Sequence, residues 1–63
     1  MYAVPFSAER RERAGRAAHE AHRQWAYRES QPVPKAWAHL KEAQREGYRC
    51  QGEAAVRADE EGR

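Results

Sequence analysis

Ser30-Gln31-Pro32-Val33-Pro34 decides the fold. Each proline disfavours helix at the residue before it, so no helix runs through this stretch. No proline interrupts residues 8–29 before it, and none follows Pro34. A connector this short can turn the chain back on itself. The expectation is therefore an all-α protein: a helical hairpin of two long helices with a short Trp-bearing helix between them.

Working outward, the chain divides into one small domain over residues 1–63, with an arm at 1–7, a helix at 8–29, a proline turn at 30–34, a short helix at 35–40, a second long helix at 41–59 and a fraying tail at 60–63. Ser7 is placed as an N-cap, with Glu9 in the first turn where the dipole favours an acid. Phe6 precedes it, at the position from which a hydrophobic staple folds back on the helix. Ala14, Ala17, Ala18, Ala21, Trp25 and Arg28 recur at three- and four-residue spacing and form the stripe expected to face a neighbouring helix. In the second helix the corresponding stripe is Tyr48, Gly52, Ala55 and Val56, with Ala43 and Gln44 a turn earlier. Gly47 and Gly52 weaken that helix by propensity. A continuous helix with Gly52 at a tight crossing is expected, and Gly15 is expected to serve close packing.

Composition sets a limit on the core. One Leu, three Val, one Phe and no Ile make five large aliphatic or Phe side chains in 63 residues. Thirteen Ala and abundant Arg, Glu and Gln favour helix, and two Trp and three Tyr add apolar area. The expectation is a real fold with an underfilled core, completed by self-association or by a partner, with a homo-oligomer expected. Trp25, Tyr27, Trp37 and Tyr48 are expected to fill what core there is. The single cysteine, Cys50, permits no intrachain disulfide and no zinc finger, and it reads as a small, partly buried residue. The first residues lack a basic region followed by an apolar run, and no apolar run approaches a membrane span. A cytoplasmic protein is expected.

Four constellations could carry chemistry. His19 and His22, three apart, with His39 could hold a metal, but they read better as polar residues flanking the stripe, and neither a metal nor a cofactor is expected. Glu20 beside the two histidines is the only acid–base grouping, and no Ser/His/Asp set or Gly-rich phosphate loop accompanies it, so no enzyme is expected. Arg10, Arg13 and Arg16, with Arg11 beside them, form a basic row that could track a phosphate backbone. Glu9–Arg13 and Glu12–Arg16 are instead spaced to pair along a solvated helix, and the net charge is only +2, so nucleic acid ranks below a protein partner. The indoles Trp25 and Trp37, with His19, Arg23 and Arg45 at the mouth, could wall a pocket for a nucleotide-like ligand.

The run Ala18-His19-Glu20-Ala21-His22-Arg23, a proline-containing gap, then Trp37-Ala38-His39-Leu40 and Arg45 resembles the small RyR-like domains of bacterial and phage proteins, themselves similar to ryanodine-receptor repeats. The resemblance covers residues 14 to about 56 and rests on His19, Glu20, Arg23, Trp37, Leu40 and Arg45. It implies an all-helical module, often phage-borne, that recognises a nucleotide-derived ligand or a protein. With Trp25 added from the indole pocket, the expected ligand-binding set is His19, Glu20, Arg23, Trp25, Trp37 and Arg45. The expected function is stoichiometric binding to a host or phage protein, as an anti-defence inhibitor does, in the host cytoplasm if phage-encoded. Arg10, Arg13, Arg16, Arg23, Trp37 and Tyr48 are the contact candidates, because Arg and aromatic residues concentrate interface energy. A nucleotide-binding module and a nucleic-acid binder are the alternatives.

Overall fold

A computed structural model describes residues 6–62; the expected arm before Phe6 and the final residue of the tail lie outside them. Ser7 starts the first helix as expected. Its Oγ accepts a hydrogen bond from the Arg10 N–H at 3.1 Å, satisfying one of the free amides of the first turn. Helix α1 (Ala8–Arg28) then runs unbroken for six turns. It ends in a Schellman arrangement: Ser30 N–H donates to Tyr27 O and Gln31 N–H to Ala26 O. Ser30 takes the left-handed conformation at φ 53°, where glycine is the usual occupant.

The proline connector follows. The short helix expected at 35–40 is only a single 3-10 turn, Trp37–His39, since Leu40 already has extended backbone. Helix α2 (Glu42–Glu61) starts where Gln44 Oε1 accepts from the Lys41 N–H at 2.9 Å. It continues through Gly47 and Gly52 as expected. It runs two residues past its expected end at Asp59, and Glu60 there pairs with Arg10.

The two helices pack side by side as a hairpin, 43 × 25 × 14 Å overall. Their crossing is made by glycines. A Cβ on Gly52 would overlap the Ala14 carbonyl and stand 2.9 Å from Gly15 N, and one on Gly15 would stand 2.9 Å from Arg49 Cα. Only an absent side chain permits backbones this close.

That crossing rotates α1 away from the expected stripe. Gly15, His19 and Ala26 are its buried positions, with Ala14 and Ala18 of the expected stripe half-buried beside them. Ala17, Ala21, Trp25 and Arg28 are exposed. The alanines lost the contest because glycine allows closer approach, and close approach brings more atoms into dispersion contact. In α2, Tyr48, Gly52 and Val56 do face inward, but Ala43, Gln44 and Ala55 are exposed. The aromatic residues divide as well. Trp37 and Tyr48 are half-buried, whereas Trp25 is 46% and Tyr27 81% exposed, so these two do not fill the core. Among the described residues the buried hydrophobic side chains are only Ala26 and Leu40.

Candidate functional site

The core is centred on a histidine. His19 is 3% exposed, and its Nε2 lies 2.7 Å from the Lys35 carbonyl. The carbonyl can only accept, so Nε2 carries the proton and donates. The ring meets Trp37 edge-on at 5.5 Å and Tyr48 edge-on at 5.0 Å, the favoured geometry for aromatic pairs. One side chain thereby joins α1, the connector, the 3-10 turn and α2. Next to it, His22 Nδ1 lies 2.9 Å from Tyr48 Oη. With His19 and His22 so engaged, the described residues hold no cluster of three metal-ligating side chains.

The Arg row of α1 is engaged in pairing across the hairpin. Arg11 forks onto Glu46, with Nη1 and Nη2 at 2.8 and 2.7 Å from its two oxygens, and reaches Glu53 at 3.5 Å. Arg10 pairs with Glu60 and lies 4.2 Å over the Phe6 ring, which Arg57 also covers at 4.8 Å. Phe6 thus meets guanidinium groups where an apolar staple was expected. Arg16 closes the expected pair with Glu12 at 3.4 Å, while Glu9 and Arg13 do not close theirs. Arg49 is the hub: it donates to Glu12 at 2.8 Å and to Glu42 at 2.5 Å, and lies 3.5 Å from Glu46. Of the four arginines in the row, Arg13 alone keeps no carboxylate partner among the described residues.

These pairs set a pH dependence. Hydrogen bonds from Arg49 hold Glu12 and Glu42 below the ordinary carboxylate value, and the hydrogen bond from Arg11 does so for Glu46. A carboxylate whose folded pKa is depressed adds stability above its unfolded pKa, and that stability is lost as pH falls through the folded value. The contribution of these three groups is therefore complete above about pH 5 and declines below about pH 4.5. Thermal melts at neutral pH and at steps down to about pH 3 should show the midpoint falling over the acid steps, with a smaller fall in Arg49→Gln. High salt should flatten the same profile, because these pairs are largely at the surface.

Two clefts receive the residues expected to bind a ligand, and no single one receives them all. Trp37 and Arg45 line a cleft of about 400 Å³ with Glu12, Arg16, Glu42 and Arg49. Arg16 and Arg49 lie 5.4 and 5.7 Å over the Trp37 ring, and Arg45 Nη1 donates to Trp37 O at 3.3 Å. Glu20 and Arg23 line a second cleft of about 440 Å³ with Gln24, Tyr27, Arg28 and Val33, where the last two turns of α1 meet the connector. His19 is buried, and Trp25 tilts against His22 at 6.0 Å, so the two indoles do not wall one pocket.

The cleft beside the connector joins Glu20 and Arg23, expected to bind a ligand, to Tyr27 and Arg28, expected on the packed side, and to Gln24 and Val33, which the sequence did not single out as site residues. Tyr27 and Val33 are exposed apolar side chains, and Arg23 Nε is buried without an acceptor. The periodicity could have shown it, since Glu20, Arg23, Gln24, Tyr27 and Arg28 follow the three- and four-residue spacing of one helix face. Cys50 is exposed rather than partly buried, with Arg11 Nη2 donating to its Sγ at 3.3 Å. No described helix is long and apolar enough to cross a membrane. No family model, curated protein or solved structure matches this chain.

Proposed function

We propose that the protein acts by stoichiometric binding to a partner protein, through the cleft where the closed end of the hairpin meets the connector. The observation that carries this is the cleft itself, which Arg23 and Arg28 line together with the exposed side chains of Tyr27 and Val33. A guanidinium meets a carboxylate in a charge-assisted pair, about twice as strong as a neutral hydrogen bond. Arg28 adds a second positive charge on the same wall, and Glu20 is the lone acid. An acidic segment carrying an apolar side chain suits this chemistry: Tyr27 and Val33 take the apolar group, and the arginines take the carboxylates.

Action as an inhibitor of phage or mobile-element type belongs to the same proposal, as does kinship with RyR-like domains. Of the residues behind that kinship, His19, Trp37, Leu40 and Arg45 act here as packing and tethering groups, which leaves Glu20 and Arg23 on the binding wall. The arginine row at the open end is a weaker contact surface, because Arg10, Arg11 and Arg16 are already paired with Glu60, Glu46 and Glu12, which leaves Arg13 alone for a partner.

Quantitative capture from the lysate of the source cell tests the proposal. A saturable protein partner should be recovered by the wild type and lost at least about tenfold in Tyr27→Ala and in Arg23→Gln. Arg13→Ala should capture it fully. Loss in Arg13→Ala alone moves the contact to the open end, and the absence of any saturable partner overturns the proposal.

A further inference from the structure

Helix α2 carries two interior glycines, and the fold uses only one of them. Gly52 lets the backbones cross, whereas a Cβ at Gly47 would meet nothing within 4 Å. Glycine weakens a helix interior relative to alanine, so Gly47 is a cost that packing against α1 does not explain. Its surroundings supply another reason. Gly47 shares one face of α2 with Gln44, Tyr48 and Gln51, at spacings of three, one and three. Residues of the connector join this face around a third cleft, of about 390 Å³. Val33, Pro34, Leu40 and Tyr48 give it apolar surface, and Leu40 is buried, so the cleft extends to the edge of the core. The space that a side chain at Gly47 would take is left to the cleft, and a ligand there can approach the helix backbone closely. The polar groups around it favour an anion. Lys35 brings an ammonium with no carboxylate partner among the described residues. Gln44 Oε1 is taken by the Lys41 N–H, which leaves its amide NH2 as the group without a partner there. Gln51 adds a second carboxamide, and no acid lines the cleft.

We infer that this cleft binds a small aromatic carboxylate, its ring laid against Val33, Pro34, Leu40 and Tyr48 beside the bare backbone of Gly47, and its charge held by Lys35 and the Gln44 amide. Ligand pockets of about 300–1,000 Å³ with apolar walls and a few convergent polar groups are the usual form of a small-molecule site, and this cleft has both features. One lysine and no second cation match a single negative charge, where a phosphate would call for more. A ring matches the apolar wall, because Tyr48 offers an aromatic edge or face and the missing side chain leaves room for a flat group. The site stands apart from the proposed partner: of its lining residues only Val33 also lines the cleft at Arg23 and Tyr27, and the inference does not depend on that proposal.

Titration of the isotope-labelled protein with indole-3-acetate, followed residue by residue through its amide NMR signals, tests it. The probe should shift the amides of Lys35, Gln44, Gly47, Tyr48 and Gln51, with a dissociation constant of about 1 mM or tighter, as its small size allows. The neutral counterpart 3-methylindole should bind at least about threefold more weakly, and Lys35→Gln should bring indole-3-acetate down to the same level. Gly47→Leu fills the cleft with a good helix former, so it should weaken the probe at least about tenfold while the melting midpoint stays at or above that of the wild type. Ala43→Leu, at an exposed α2 position outside the cleft, should bind as the wild type does. Should Gly47→Leu lose helicity, Lys35→Gln carries the test. The inference is overturned if about 10 mM indole-3-acetate leaves these amides unmoved, if 3-methylindole binds equally well, or if a folded Gly47→Leu binds undiminished.

Discussion

His19→Ala should abolish the cooperative melt or lower its midpoint by well over 10 °C, the loss expected when about 2–4 kcal/mol is removed from a domain of this length. Three terms combine at this position. The imidazole is 3% exposed, so its removal leaves a cavity against Trp37 and Tyr48. The Lys35 carbonyl loses its donor, which costs a further part of the total. The connector loses the bond that pins it to α1, and with it the placement of the 3-10 turn. A chain of this size carries only about 3–9 kcal/mol of net stability, so the loss is a large fraction of the whole. His19→Phe separates the terms: it keeps a ring in place but cannot donate, and should lose about 1–2 kcal/mol. A His19→Ala protein melting within about 2 °C of the wild type would remove this residue from the centre of the fold.

Gly52→Ala should destabilise by about 2 kcal/mol or more, against the usual direction for a helix interior. Alanine in place of glycine ordinarily gains up to about 1 kcal/mol by propensity. Here the added methyl would overlap the Ala14 carbonyl group and stand 2.9 Å from Gly15 N. These are backbone atoms and cannot rotate aside as a side-chain end would. The helices must separate, and the separation propagates to the Arg49 and Arg11 pairs that span the same crossing. Overpacking of about 1–3 kcal/mol is common even where side chains can yield, and here they cannot.

The hairpin was legible because two proline-free helical patterns flank a short proline connector, and Ser7 marks the start of the first. Gly52 was legible as a crossing point because a glycine on an apolar stripe in a helix needs a reason to be there. The face of α1 was not. Hydrophobic periodicity weighs Ala17, Ala21 and Trp25 as buried, but it cannot see that Gly15 and Gly52 bring two backbones together and turn those alanines outward. His19 was visible as a candidate ligand residue, yet its partner is a backbone carbonyl sixteen residues away, which no side-chain pattern encodes. Arg49 drew no notice for a similar reason. Its bonds to Glu12, Glu42 and Glu46 come from both helices, and local charge spacing records only those on its own. The cleft at Arg23 and Tyr27 needed the connector folded over α1 before Val33 could complete it.

The central claim is that a glycine crossing, with His19 beside it, holds this chain together in place of a large apolar core. Gly47 supplies the comparison, for it lies in the same helix and a Cβ there would meet nothing within 4 Å. Urea unfolding of Gly47→Ala and Gly52→Ala side by side tests the claim most directly. The prediction is opposite signs, with Gly47→Ala raising stability by up to about 1 kcal/mol and Gly52→Ala lowering it by about 2 kcal/mol or more. Two variants stabilised alike would contradict the claim, because α2 would then be no closer to α1 at Gly52 than it is at Gly47.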